Sequence, residues 1–317
     1  EGVARNVVCY KTKATYWFNM VHKLLKLYRG LRFRKTMKFN LVSIEPSGFQ
    51  HAGAWYELAE LIMHGFLRAG FDCSTSINRF APNRLNIVFG VMHVTPDMER
   101  LLPNNTLLFN TEQLVSLSKD FNHQSYMNIR FLAQKGYGFI DYSAANISVL
   151  ESWGATEVIL MPLGFVPELH RLRNIKPMHD LLFYGGRNRR RIELLKKIKD
   201  TGVNLHYLHG VYGQERDHFI ERSKVVLNLH LYDSEIFELV RVNYLMHNKV
   251  CVLTEINETT IIDEQLKELF VCSPRERLAS SALDILEQPD VITRKASLAY
   301  DWLRSRPQEL IIKSIFS

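Results

Sequence analysis

Cysteine is scarce in this sequence and poorly placed for chemistry. The four residues Cys9, Cys73, Cys251 and Cys272 are scattered over 317 positions with no C-x-x-C pair. Three of them lie in apolar or mixed surroundings, which favours reduced thiols of a cytoplasmic protein over disulfides or a thiolate metal site. No apolar run reaches the roughly 18 residues of a membrane span. The glycines at 48 and 53 do not form G-x-G-x-x-G, so dinucleotide binding lacks its fingerprint. His206, His209, His218 and His230 recur at no metal-ligand spacing, and neither a metal nor a bound cofactor is expected.

The body of the chain also lacks net charge. The formal +7 divides unevenly: residues 1–40 hold ten Lys or Arg against one Glu, which leaves 30 basic and 32 acidic residues for the rest. Nucleic acid is therefore a poor partner for the body. The basicity belongs to an N-terminal arm, 1–36. Within residues 16–38, Trp17, Phe18, Val21, Leu24 and Leu25 interleave with Lys23, Lys26, Arg29 and Arg32. Such a segment can lie on an anionic membrane surface, or it is an extension that merely precedes the fold.

What is present reads as α/β alternation. Phe39–Ile44 predicts a first strand, then a glycine loop to Gly53 and a helix over 54–69 closed by Gly70. Leu85–Val91, Thr106–Asn110, Phe139–Ser143 and Val158–Met161 read as further strands, with helices over Tyr126–Lys135 and Ala144–Ser152. His93, at the end of one strand, lines a cleft or is a satisfied structural residue. Glu112, just past another, is a base or sugar-hydroxyl acceptor, or a helix-capping carboxylate. Pro162 and Gly164 end regular structure. The boundary between two domains, 37–167 and 168–317, is placed there.

The alternation then restarts. Strand Asp180–Tyr184 leads into Gly185-Gly186-Arg187-Asn188-Arg189-Arg190-Arg191 and a helix over Glu193–Asp200. Three consecutive arginines oppose the helix dipole unless an anion is held there. Gly185 and Gly186 permit close backbone approach and Arg187 supplies a fixed cation, the two things a diphosphate needs. Strand Val203–Leu208 and helix Gln214–Arg222 flank Tyr212, which stacks on a base or packs in the core. Lys224–Leu229, a helix over Glu235–His247 and Val250–Thr254 follow. Strand Leu269–Cys272 and helices over Pro274–Leu286 and Val291–Arg304 close the chain.

These segments resemble GT-B glycosyltransferases, most of all bacterial enzymes of the spore-maturation CgeB type and family 1- or 4-like glycosyltransferases. The resemblance covers roughly residues 37–305 and is strongest at Gly185–Arg191 and Glu235–Glu255. Met161-Pro162-Leu163-Gly164 resembles the segment where such chains cross between domains, with Phe165 where an Asp is usual. Ser223–Glu255 resembles the nucleotide-binding motif, two acids ahead of a helix and a hydrophobic strand. Its first acid falls on Glu235, its second on Asn243, and Glu238 is an acid out of register.

The resemblance implies two Rossmann-like domains whose parallel sheets face across a cleft, with a terminal helix returning to the first domain. It implies a nucleotide-sugar donor held by Arg187 and by Arg190 or Arg191, with Tyr212 and the Val211 backbone beside the base. Glu235 would face sugar hydroxyls and Asn243 the ribose. The implied reaction moves the sugar to an acceptor hydroxyl, without an obligatory metal, with His93 and Glu112 as candidates for the base. The acceptor would be a glycan, lipid-linked or protein substrate of surface-polysaccharide or glycoconjugate synthesis. Two rivals stay open: a nucleotide-sugar 2-epimerase of the same fold, and a non-catalytic binding protein, for which Asn243 in place of an acid argues.

Overall fold

The computed structural model describes residues 37–114, 123–173, 175–231 and 236–317. The N-terminal arm and Glu235, both singled out above, lie outside them. Two sheets account for the strands. The first holds β1 (Lys38–Ser43), β2 (Asp72–Ile77), β3 (Leu85–Phe89), β4 (Thr106–Phe109), β5 (Gly138–Asp141) and β6 (Glu157–Leu160). They run parallel in the order β2-β1-β3-β4-β5-β6. The second holds β7 (His179–Tyr184), β8 (Leu205–Leu208), β9 (Ser223–Asn228), β10 (Val252–Glu255) and β11 (Val271–Ser273), parallel in the order β11-β10-β9-β7-β8.

Both sheets are covered on both faces, as parallel sheets must be. Phe39, Leu41 and Ile87 pack under Leu61 and Phe66 of helix α1 (Tyr56–Ala69), while Val42, Val88 and Leu108 meet Ile129 of α2 (His123–Gln134) and Leu150 of α3 (Ala144–Ser152) on the other side. In the second sheet Leu181, Phe183 and Val225 face Leu194 and Ile198 of α4 (Arg189–Lys199). Their neighbours Leu182 and Val226 face the core on the opposite side. The period of two along each strand thus feeds two cores.

Two features depart from the expectation, and a third supplies the expected return to the first domain with a helix beyond the last one read from the sequence. β2 was not foreseen: its sequence, DCSTSI, buries no apolar face, and it is held by polar rungs in which Asn40 bonds Ser74 and Ser76 at 3.0 Å each. The helix expected from Glu235 begins later, as α6 (Leu239–His247), following α5 (Gly213–Ile220), because Ile236 is drawn into a bridge with Ile261. Beyond α7 (Leu278–Leu286) and α8 (Pro289–Arg304), a further helix, α9 (Gln308–Phe316), returns to the first domain. Phe316 sets its ring edge-on to Phe39 at 5.2 Å, and Gln308 and Ile312 crowd Gly65 of α1 so closely that a Cβ there would lie within 2.7 Å of each.

The chain crosses between the sheets at 161–167 and again at 305–307, and the two crossings pair like strands. Phe165 N–H donates to the Arg306 carbonyl at 2.9 Å, and Gln308 N–H donates to the Phe165 carbonyl at 2.9 Å. The loops at the carboxyl ends of the two sheets touch across a cleft, where ligands of such sheets collect. His51, after β1, bonds Tyr212, after β8, at 2.8 Å, and Gln113, after β4, donates to the Ile236 carbonyl, after β9, at 3.1 Å.

Candidate functional site

On the second sheet's side, the site is built from the loop after β7. Gly185 lies at φ +149°, a backbone conformation that favours glycine, and a Cβ there would meet Arg241 Nη2 at 2.8 Å, so the guanidinium would have to shift for any other residue. Asn188 caps α4 by accepting from Arg191 N–H at 2.9 Å. That capping aims the helix N-terminus at the loop.

The arginines fare differently from one another. Arg187 is exposed and has no hydrogen bond or ion pair to a described residue. Arg189 pairs with Glu193 on its own helix. Arg190 is clamped by both oxygens of buried Glu255 and also donates to the His230 carbonyl at 3.1 Å. Arg191 is 1% exposed and donates to the carbonyls of Gly186, Leu229 and His230 and to Glu238 at 2.7 Å. Burial pushes its pKa down to about 10. Arg191 is therefore a strut, and the expectation that it contacts a diphosphate is corrected: its donors are consumed by the protein. The anions that three consecutive arginines demand are resident carboxylates.

Sequence reasoning missed two members of this group. Arg241, on α6, donates to Asn228 at 2.9 Å and pairs with Glu238 at 3.2 Å. Glu255 ends β10. Glu238, N-terminal to α6, accepts from Arg191, Arg241 and Leu231 N–H. Burial alone would raise its pKa, but Arg191 and Arg241 outweigh that and hold it below the usual range. Four guanidinium groups (187, 190, 191, 241) thus face two carboxylates, an excess of two positive charges, with Arg187 the least committed.

The first sheet contributes carboxyls of the opposite character. Asp141, at the end of β5, is fully buried and accepts from Asn110 at 2.7 Å, Ser143 N–H at 2.7 Å and Asn146 at 3.0 Å. Burial nevertheless pushes its pKa up to about 7. Glu112 is held by its backbone, whose N–H donates to Asn110 and whose carbonyl accepts from Asn110 and Asn146. Burial, with the Glu238 charge across the cleft, pushes its carboxyl up to about 7. A carboxyl poised there can take a proton at neutral pH.

The remaining candidates are placed elsewhere. His93 follows β3 in a short 3₁₀ turn, packs 4.3 Å from the Phe49 ring and has a buried Nε2 without a partner. Burial lowers its pKa, so it is neutral at pH 7. Tyr212 does not present its ring to open space: it fills a notch over Gly53, where a Cβ would lie 2.6 Å from the ring, and its hydroxyl bonds His51. Asn243 is buried and turns its amide to the carbonyls of Leu163 and Gly164, so the ribose role expected of it is corrected to one of holding the first crossing. Among the described residues, no three His, Cys, Asp or Glu group as a metal site, and no helix is long and apolar enough to cross a membrane.

No protein-family model matches the chain. Two uncharacterized proteins of Acanthamoeba polyphaga mimivirus are similar: one is 23% identical over 66% of this chain and 73% of its own length, the other 24% identical over 67% and 69%. Solved glycosyltransferases superpose on it. A point mutant of T4 phage BGT, in complex with UDP-glucose, matches 88% of this chain and 99% of its own at TM-score 0.54 and 12% identity. WaaG, a glycosyltransferase involved in lipopolysaccharide biosynthesis, matches 88% and 98% at TM-score 0.53 and 13% identity. TarM matches 75% of this chain at TM-score 0.52 and 13% identity, and the chain spans just over half, 55%, of TarM. The chain has the GT-B glycosyltransferase fold, two Rossmann-like units with parallel sheets.

Proposed function

We propose that this GT-B fold carries a glycosyltransferase that moves a sugar from a nucleotide-diphosphate donor to an acceptor hydroxyl. The observation that carries the reading is the uncommitted Arg187 beside a glycine cradle with two surplus positive charges, in a group whose Glu238 also acts on Glu112, a carboxyl poised near neutrality. A nucleotide-sugar diphosphate brings about two negative charges to that cradle, and charge-assisted hydrogen bonds are the strong ones. As the glycosidic bond breaks, negative charge grows on the leaving diphosphate. Preorganised guanidinium groups then stabilise the transition state more than the ground state.

The roles divide by domain. Arg187 meets the diphosphate first, and Arg241, which shares Glu238 with Arg191, can turn to it while Arg191 keeps that carboxylate paired. Glu112, ionised, takes the proton of the acceptor hydroxyl; the charge on Glu238 sustains its basicity. Neighbours of the same fold were solved with UDP or UDP-glucose, so UDP is the nucleotide tested first. The guanidinium groups supply the charge neutralisation, and we expect turnover to survive EDTA. We assign the reaction to the cytoplasm, on a glycan, lipid-linked or protein acceptor of glycoconjugate synthesis.

The test is release of UDP from UDP-sugars, measured with and without added acceptor. Release that rises with acceptor supports transfer. Release of UDP and free sugar indifferent to acceptor points to the epimerase reading, and binding without release to a binding protein.

A further inference from the structure

A cavity of about 570 Å³ lies between the two sheets' domains, on the side of the two crossings. Its walls include Ala145 of α3, Leu163 of the first crossing, Leu239 of α6, Leu266, and Trp302 of α8. At its inner end Tyr142 and Leu239 adjoin the candidate site: Tyr142 follows Asp141 and donates to the Thr111 carbonyl at 3.4 Å beside Glu112, and Leu239 follows Glu238. At its outer end the lining continues to Leu310, 57% exposed, and Ile261, 44% exposed. The volume is that of a pocket for a small organic ligand.

Several of the polar side chains along the cavity are already engaged by the protein. Asp263 accepts from Gln265 N–H at 3.2 Å, capping its own short helix. Arg306 lies over the Trp302 ring at 3.6 Å and donates to the Trp302 carbonyl and Ser305 hydroxyl. The Asn243 amide is spent on the first crossing. A sugar buried here would find few partners for its hydroxyls among the mostly apolar walls, which is costly. An apolar chain gives up no hydrogen bonds by entering, and a cavity whose lining runs from beside the candidate site to the exposed Leu310 and Ile261 suits a chain better than a compact ring.

We propose that this cavity holds the apolar tail of the acceptor, an alkyl or prenyl chain whose hydroxylated head lies in the cleft beside Glu112. The proposal rests on the glycosyltransferase reading and narrows its acceptor to an amphiphile. The probe is n-decyl β-D-glucoside below its micelle concentration, compared with methyl and phenyl β-D-glucosides by titration calorimetry on the full chain. Decyl glucoside should bind at one site at least tenfold more tightly than either. Ala145→Trp, which fills the cavity, and Ile262→Glu, which charges another residue of its lining, should each weaken it at least tenfold while UDP affinity stays unchanged. Should Ala145→Trp fail to fold, Ile262→Glu carries the test. Equal affinity for methyl and decyl glucosides, phenyl glucoside binding as tightly as decyl, unaltered binding in the folded variants, or no saturable binding overturns the proposal. Failure of the donor reading registers separately, as absent UDP binding with the chain-length dependence intact.

Discussion

Glu112 and Arg191 carry the same lesson at the scale of the residue. A position in sequence names the chemical group, and only the surroundings say what it does. Glu112 was legible as a site candidate because it follows a strand end; its raised pKa was not, because that depends on burial in the folded chain and on Glu238 across the cleft. As a base, Glu112 must be ionised, so activity should rise with pH through about 7. Glu112→Gln should lose about 10²- to 10⁴-fold in kcat together with that limb. The stability sign is opposite. The folded-state pKa is raised from the ordinary 4.5 to about 7, so the stabilisation is full below about 4.5 and is lost as pH rises through 7. Glu112→Gln, neutral throughout, should flatten the fall in Tm between about pH 5 and 8.

The arginines sort in the same way. The run Arg189–Arg191 demanded an anion, which was legible. That the anions are Glu193, Glu255 and Glu238 was not, since ion pairs between distant strands leave no local signal. Arg191→Met should destabilise by about 3–5 kcal/mol, because it takes one of two cations from Glu238 and leaves the Gly186, Leu229 and His230 carbonyls without this donor. Arg187→Ala should leave urea unfolding within about 0.5 kcal/mol of the parent. Equal costs at the two positions would contradict the distinction between strut and ligand.

Elements were legible where both faces of a strand or one face of a helix are apolar. β1, β3, β4, β7 and β9 fall within a residue or two of their expected bounds, because a strand buried on both faces reads as a mostly apolar run, broken in β1 and β3 only by single asparagines. β2 was invisible for the converse reason: an edge strand of Asp, Cys, Ser and Thr is held by Asn40 and its polar rungs, which no periodicity reports. The helix expected from Glu235 started late because a tertiary bridge, Ile236 to Ile261, overrode local propensity. The return helix α9 is anchored by Phe316, 4% exposed against Phe39 and Phe66. Phe316→Ala should cost about 3–5 kcal/mol by chemical denaturation. A cost below about 1 kcal/mol would mean that α9 does not dock there.

At the scale of the molecule, the two domains are joined by a buried ionic network as well as by the crossings. Arg216, 4% exposed, bonds Glu57 of α1 at 3.0 Å and Asp217 at 2.6 Å, and Asp217 accepts from the Tyr244 hydroxyl at 2.7 Å. Arg171 completes it through Glu60 at 2.8 Å. None of this was legible, since Glu57, Glu60, Arg216 and Asp217 are ordinary charged residues of helices, Tyr244 fits an apolar helix face and Arg171 belongs to the linker. Glu57→Gln should lower Tm by several degrees and loosen the cleft, seen as a larger radius by small-angle scattering in the absence of nucleotide.

The central claim is that the cleft binds a nucleoside diphosphate through Arg187. The direct measurement is thermal unfolding of the parent and of Arg187→Ala with UDP, GDP, dTDP, CDP and ADP. A ligand at about 100 times its Kd adds about 2.7 kcal/mol, a rise of several degrees at this chain length. The account predicts a rise with UDP in the parent that is lost in Arg187→Ala. No rise with any of the five in folded parent, or an equal rise in the variant, would contradict it.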